Sequence, residues 1–233
     1  MSRYPVCRKC LAAPEPLDAE YFCVSCRTPF QNPFPLDENG LCGLCRAGVR
    51  GFDAAYSFAA YDGVLRKLIH LYKYGRIQTL SRPLGDLLAR ALPLDEGFDC
   101  IVPVPLHWIR QWKRGFNQSE LLARAIGRRT GIPVMKALRR SRSTKVQAGL
   151  SNHGRRRNVH KAFRARPVEG KRILLIDDVM TTGATATACA QALKRAGAAR
   201  VALLTVARAD RRLPDARLVP YESMVGENSD HAE

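Results

Sequence analysis

No apolar run in the 233 residues approaches the roughly 18 to 20 that a membrane-spanning helix needs, so membrane insertion is not expected. The first residues, MSRYPVCRKC, lack the apolar stretch of a secretory signal, which makes the cytoplasm the expected compartment. Acidic residues are nearly missing from one long segment. Between Trp108 and Arg172 only Glu120 and Glu169 oppose 19 Lys and Arg, and this segment accounts for the whole formal charge of +17 because the remainder is balanced. A field concentrated in one place implies a polyanionic partner, either a multiply phosphorylated small molecule or a nucleic acid; a basic, solvated surface is the plainer alternative. Aromatics are scarce in that segment, which argues against a base-stacking platform there. Residues 1–50 and 139–161 lack apolar periodicity, so neither builds a regular core element. His70, His107, His153 and His160 lack ligand spacing, and none is a candidate catalytic group.

What is present divides the chain by composition. Residues 1–50 hold six of the eight cysteines and several prolines, a loop-rich module too small to bury much core by itself. From 51 to 210 strand-like and helix-like patterns alternate, and residues 211–233 read as a flexible polar tail. Strands are expected at 52–61, 99–104, 132–138, 171–176 and 201–206. Helices are expected from Asp62 to a stop at Gly75, over 80–92, from Asn117 to Gly131 and over 183–196. Asn117 with Glu120 resembles a capping box, and Gly131 is suited to close that helix. Alternation of this kind predicts an α/β fold with a mainly parallel sheet flanked by helices. Residues 139–161, rich in Arg, Ser, Gly and Asn, read as a long loop or hairpin, the kind that covers a site.

The chemistry concentrates in LLIDDVMTTGAT, residues 174–185. Its apolar half is a buried strand that delivers Asp177 and Asp178 to the sheet edge where open α/β folds bind ligands. Adjacent carboxylates there need polar partners, and the vicinal hydroxyls of a ribose are suitable ones. Thr181, Thr182, Gly183, Ala184 and Thr185 then turn into a helix. Their small side chains let backbone N–H groups approach a phosphate, and the helix start adds partial positive charge. A second feature is the set of three CxxC knuckles, Cys7/Cys10, Cys23/Cys26 and Cys42/Cys45. Fifteen residues separate Cys26 from Cys42, a zinc-ribbon spacing that makes Cys23, Cys26, Cys42 and Cys45 a candidate four-thiolate structural zinc site, with disulfides the alternative. Cys100 and Cys189 are expected to be small core residues.

Residues 174–185 resemble the phosphoribosyl-pyrophosphate motif of type I phosphoribosyltransferases. That likeness implies that Asp177 and Asp178 hold the ribose hydroxyls at the catalytic centre and that residues 181–185 cradle the 5'-phosphate. VPVPLHWIRQWKRGFNQSELLA, LLIDDVMTTGAT and the cysteine module together resemble the ComF family, relatives of amidophosphoribosyltransferases associated with bacterial DNA uptake. Lys73 in LYKYG and Gln147, Leu150, Arg157 and Asn158 in the long loop fit the same pattern. The resemblance implies that Lys73, Arg110, Arg114 and Arg157 serve the pyrophosphate and a closing hood, with magnesium carried in on the diphosphate. Family members commonly have four knuckles, so Cys7 and Cys10 are weaker metal candidates: either a first site is lost or an upstream knuckle precedes this sequence. Two functions follow from the resemblance. One is a pentosyl transferase moving phosphoribose to a nitrogen acceptor, without the glutaminase part of an amidotransferase. The other is a non-catalytic competence protein that binds single-stranded DNA or partners of the uptake machinery.

Overall fold

The structure is a computed structural model that describes residues 6–48, 50–93, 95–106, 112, 114–140 and 162–209. The N-terminal module is built from short pieces: α1 (Arg8–Ala12), β1 (Tyr21–Phe22), β2 (Pro29–Phe30) and α2 (Gly43–Arg46), with β1 and β2 antiparallel. The α/β body follows with β3 (Ala54–Ala60), α3 (Gly63–Lys73), a 3-10 turn at Gln78–Leu80, α4 (Ser81–Arg90) and β4 (Cys100–Pro103). It continues with α5 (Gln118–Thr130), β5 (Leu138–Arg140), β6 (Phe163–Ala165), β7 (Arg172–Met180), α6 (Ala184–Arg195) and β8 (Arg200–Arg208).

β3, β8, β7 and β4 form one sheet in that order, and every pairing is parallel. The central strands read as continuous apolar runs because both faces are covered. Alternate residues go to opposite cores. Ile173, Leu175, Val201 and Leu203 pack against Ala188, Cys189 and Leu193 of α6. Leu174, Ile176, Ala202 and Leu204 pack against Leu68, Ile69, Leu84, Leu88, Leu122 and Ile126 of α3, α4 and α5. Ile173 through Ile176 have no exposed surface, and each such side chain contributes about 1.5–3 kcal/mol relative to exposure. Cys100 and Cys189 are core residues, as expected.

The expected caps of α5 form, with one difference. The Asn117 side chain accepts the Ser119 N–H at 3.1 Å, and Gly131 closes the helix at φ 76 by donating to Gly127 O. Glu120 does not complete a capping box; its carboxylate is engaged by Lys136 at 2.7 Å and by Arg124. The strand expected at 132–138 shrinks to a single parallel bridge between Val134 and Ile101, because the next ladder position on either side would need an N–H from Pro133 or from Pro103. Strand structure resumes at β5, which pairs antiparallel with β6. The two ends of the expected long loop are thus zipped together, and residues 141–161 between them lie outside the described residues.

The N-terminal module covers the outer edge of β3. Leu17 N–H donates to Phe58 O at 2.7 Å and Ala55 N–H to Ser25 O at 2.9 Å, so backbone groups that an edge strand leaves unpaired are satisfied. The Ser25 hydroxyl adds a bond to Asp53 O. Arg208, at the end of β8 and 3% exposed, donates through Nη1 to Cys26 O at 2.7 Å and through Nη2 to the Thr28 hydroxyl. Among the described residues, no helix is long and apolar enough to cross a membrane.

Candidate functional site

β7 outruns its apolar stretch. Asp177, Val179 and Met180 keep pairing with Thr205, Ala207 and Arg208 of β8, so the strand ends at Met180 rather than at 176. Asp177 and Asp178 therefore sit on the strand itself. Asp178 is 8% exposed and receives Lys73 Nζ at 2.9 Å. Asp177, partly buried, accepts the Ser119 hydroxyl at 2.9 Å and the Asp178 N–H at 2.9 Å.

Two helix ends are pinned to deliver those partners. The Tyr72 hydroxyl donates to Gln118 O at 2.8 Å, and its ring packs on Phe116 at 5.6 Å, which ties the end of α3 to the start of α5. The next residue on each side, Lys73 and Ser119, then faces the carboxylates. Val104 N–H donates to Ile176 O, and Asn117 Nδ2 donates to Val104 O, holding the segment after β4 against β7.

The charges in this cluster are unequal. Burial raises the Asp177 carboxyl to about 7, Asp178's charge adds to that, and Lys73 and the Ser119 hydrogen bond oppose it only in part. Burial works against the Lys73 ammonium, yet the charges of Asp178 and Asp177 prevail and hold its pKa above the ordinary value. Near neutral pH the site therefore offers an ion pair beside a carboxyl that both accepts and donates hydrogen bonds. That combination suits a polyol.

Past Met180 the chain turns into α6. Thr181 and Thr182 are exposed, and the Thr182 hydroxyl accepts the Ala184 N–H at 3.4 Å. Gly183 is the N-cap at φ 75 and makes no side-chain cap hydrogen bond, so Thr182 supplies a side-chain acceptor at this helix start. A Cβ at position 183 would stand 2.9 Å from Arg50 Nη1 and 3.2 Å from Met180 Cε, both ends of flexible side chains, so it is the backbone conformation that requires glycine. Ala184 and Thr185 are half-buried in the first turn. Of the remaining expected residues, Arg114 lies over the Tyr74 ring at 4.9 Å, while Arg110 and Arg157 lie outside the described residues.

Cys23, Cys26, Cys42 and Cys45 converge, with all four sulfurs within 4.8 Å of one another. Cys26 Sγ and Cys42 Sγ are 3.7 Å apart, close to the edge of about 3.8 Å that a tetrahedral zinc–sulfur site requires. The hydrogen bond from Cys42 draws the Cys26 thiol down to about 3, with Arg50, Thr28 and Arg208 assisting against burial; the same bond pushes Cys42 up. All eight described cysteines are free thiols, so the disulfide alternative is not realised. Cys7 and Cys10 stand apart from the four at the start of α1, where the Cys10 N–H donates to Cys7 Sγ at 3.4 Å. Composition and spacing had not singled out Ser119, Arg50 or Arg208. The only sequence signal for Ser119 was its place two residues after a cap.

The chain matches the family model described as phosphoribosyl transferase domain over residues 77–228. It is 37% identical over 174 residues to DNA utilization protein YhgH of Escherichia coli O157:H7, covering 71% of this chain and 77% of that one. To the protein of the same name in Salmonella typhi it is 33% identical over 219 residues, 89% of this chain and 92% of the relative. To Competence protein F of Haemophilus influenzae it is 32% identical over 181 residues, 72% and 78% respectively. A parallel sheet bearing an acidic pair at its edge, a four-cysteine module docked on the outer strand, and relatives named for competence and DNA utilisation agree, and the chain belongs to the ComF family of phosphoribosyltransferase-domain proteins.

Proposed function

We propose that the edge of β7 binds phosphoribosyl pyrophosphate with magnesium and that the protein transfers the phosphoribosyl group to a nitrogen acceptor, releasing pyrophosphate. The observation that carries this reading is the joint placement of Asp177 and Asp178 beside Lys73 and Ser119, just before the glycine-capped start of α6. Asp177 and Asp178 take the ribose 2'- and 3'-hydroxyls. Residues 181 to 185 take the 5'-phosphate with backbone N–H groups and two threonine hydroxyls. Magnesium would arrive with the diphosphate and offset its charge, so few protein ligands would be needed. Lys73, Arg114, and Arg110 and Arg157 from the basic segment stabilise the departing pyrophosphate. Residues 139–161 act as the hood that excludes water. In the N-terminal module Cys23, Cys26, Cys42 and Cys45 hold a structural zinc, without which so small a unit has too little core to fold.

A second reading, a non-catalytic protein acting on single-stranded DNA or on DNA-uptake partners, is favoured by the names of the relatives and by the net +17 between Trp108 and Arg172. A pyrophosphate-release assay with phosphoribosyl pyrophosphate, magnesium and a panel of amine and base acceptors separates the two. Acceptor-dependent release supports transfer. Ligand binding with no release for any acceptor, together with salt-sensitive DNA affinity, moves the assignment to the second reading.

A further inference from the structure

The linker between the two parts of the molecule places a cation against the phosphate loop. Gly51 lies so close to α6 that a Cβ there would stand 2.8 Å from Thr187 O, and this approach fixes the neighbouring Arg50. Arg50 Nη1 reaches within 2.9 Å of the position a Gly183 Cβ would occupy, directly beside the N-cap of α6. Its Nε and Nη1 are sealed from solvent, and neither has a hydrogen-bond partner. The Phe52 ring, 5.7 Å from the guanidinium, satisfies none of its N–H geometry.

Two guanidinium donors sealed from water without partners are costly, and such atoms in a native structure call for an explanation. The Arg50 charge favours the Cys26 thiolate, but that leaves Nε and Nη1 without a hydrogen-bond acceptor, whereas Arg208 bonds the ribbon through Cys26 O and Thr28. Beside the Arg50 donors stands Gly183, at the start of α6 in the small-residue loop proposed above to take a phosphate.

We infer that Arg50 is an anion-binding residue of the 5'-phosphate site, supplied by the ribbon linker from behind Gly183. This rests on the phosphate-site reading above and adds to it a cation that lies outside the 174–185 motif. Arg50 N–H groups turn to the phosphate when it enters, and the energy lost in burying them is recovered only in the complex. The ligand class is a terminal sugar phosphate, with a charge-assisted fork as the contact.

The test is calorimetry of ribose 5-phosphate on full-length, zinc-loaded wild type, Arg50→Met and Arg50→Lys, with Arg46→Met as a control on the same module and zinc per chain and melting temperature measured for each. Arg46 is 60% exposed in its side chain and pairs only loosely with Asp37. The expected result for Arg50→Met is at least a tenfold weaker dissociation constant, unchanged zinc and a melting temperature of the unliganded protein equal to or above wild type. Arg50→Lys recovers part of the affinity, and Arg46→Met changes nothing. Unchanged affinity in Arg50→Met overturns the inference while leaving the phosphate site intact. So does a fall in melting temperature that accompanies the affinity loss, since a structural prop behaves that way. Wild type that fails to bind ribose 5-phosphate overturns the phosphate-site reading itself, and the inference with it.

Discussion

Asp177→Asn is expected to stabilise the unliganded protein while destroying its ligand site. The Asp177 carboxyl is raised to about 7 in the fold, chiefly by burial and then by the charge of Asp178. In the unfolded chain the same group titrates near about 3.9. As pH rises through the interval between the two values, the unfolded state loses its proton first. It then binds fewer protons than the native state, and stability falls with rising pH. The full interval corresponds to about 4 kcal/mol, of which roughly 2–3 kcal/mol accrues between about pH 5 and pH 8. Asparagine carries no proton to lose, so its advantage over wild type should grow by that amount across the same window. For a chain of this size that is roughly 4–12 °C in melting temperature. The assay is thermal or urea unfolding of both proteins at several pH values, zinc-loaded and without ligand. A stability gap that stays flat or shrinks from pH 5 to 8 would refute the assignment of a buried, reluctant carboxylate to position 177.

Three further outcomes follow from the same geometry. Lys73→Met strands Asp178, which is 8% exposed and pairs with Lys73 at 2.9 Å; a loss of about 3–5 kcal/mol is expected in urea unfolding, largely restored by adding Asp178→Asn. Gly183→Ala places a side chain at φ 75 against Arg50 and Met180, so it should cost about 1–2 kcal/mol in urea unfolding and weaken ribose 5-phosphate binding in calorimetry. Chelation should release one zinc per chain, read by metal analysis, and lower the melting temperature together with order at the β3 edge, read by hydrogen exchange at Ala55, whose N–H bonds Ser25 O. Two tightly held zincs per chain would bring Cys7 and Cys10 back as ligands.

The features readable from sequence were those governed by local rules. Unbroken apolar runs at 173–176 and 201–204 announced strands buried on both faces, and they are the sheet centre. Asn117 and Gly131 bracketed α5 because a cap and a left-handed stop are chemical requirements of helix ends. Spacing selected the four cysteines that converge. Pairing between distant segments was not readable. Two carboxylates do not look like strand, yet eight residue pairs with β8 carry β7 through them. Lys73 was pointed out by family likeness, and no periodicity predicts that it meets Asp178. Ser119, Arg208 and Arg50 act through contacts with residues far along the chain, which depend on how helices and linker pack on the finished sheet. The strand expected after Gly131 was overread because its apolar residues outweighed the missing N–H of Pro133.

The Asp177–Asp178 edge with the loop after it is proposed to hold a sugar phosphate. Calorimetric titration of phosphoribosyl pyrophosphate with magnesium into wild type and into an Asp177→Asn, Asp178→Asn double variant tests it most directly. Saturable, magnesium-dependent binding to one site per chain is expected in wild type and none in the variant. No binding by wild type, or equal binding by the two proteins, would contradict it.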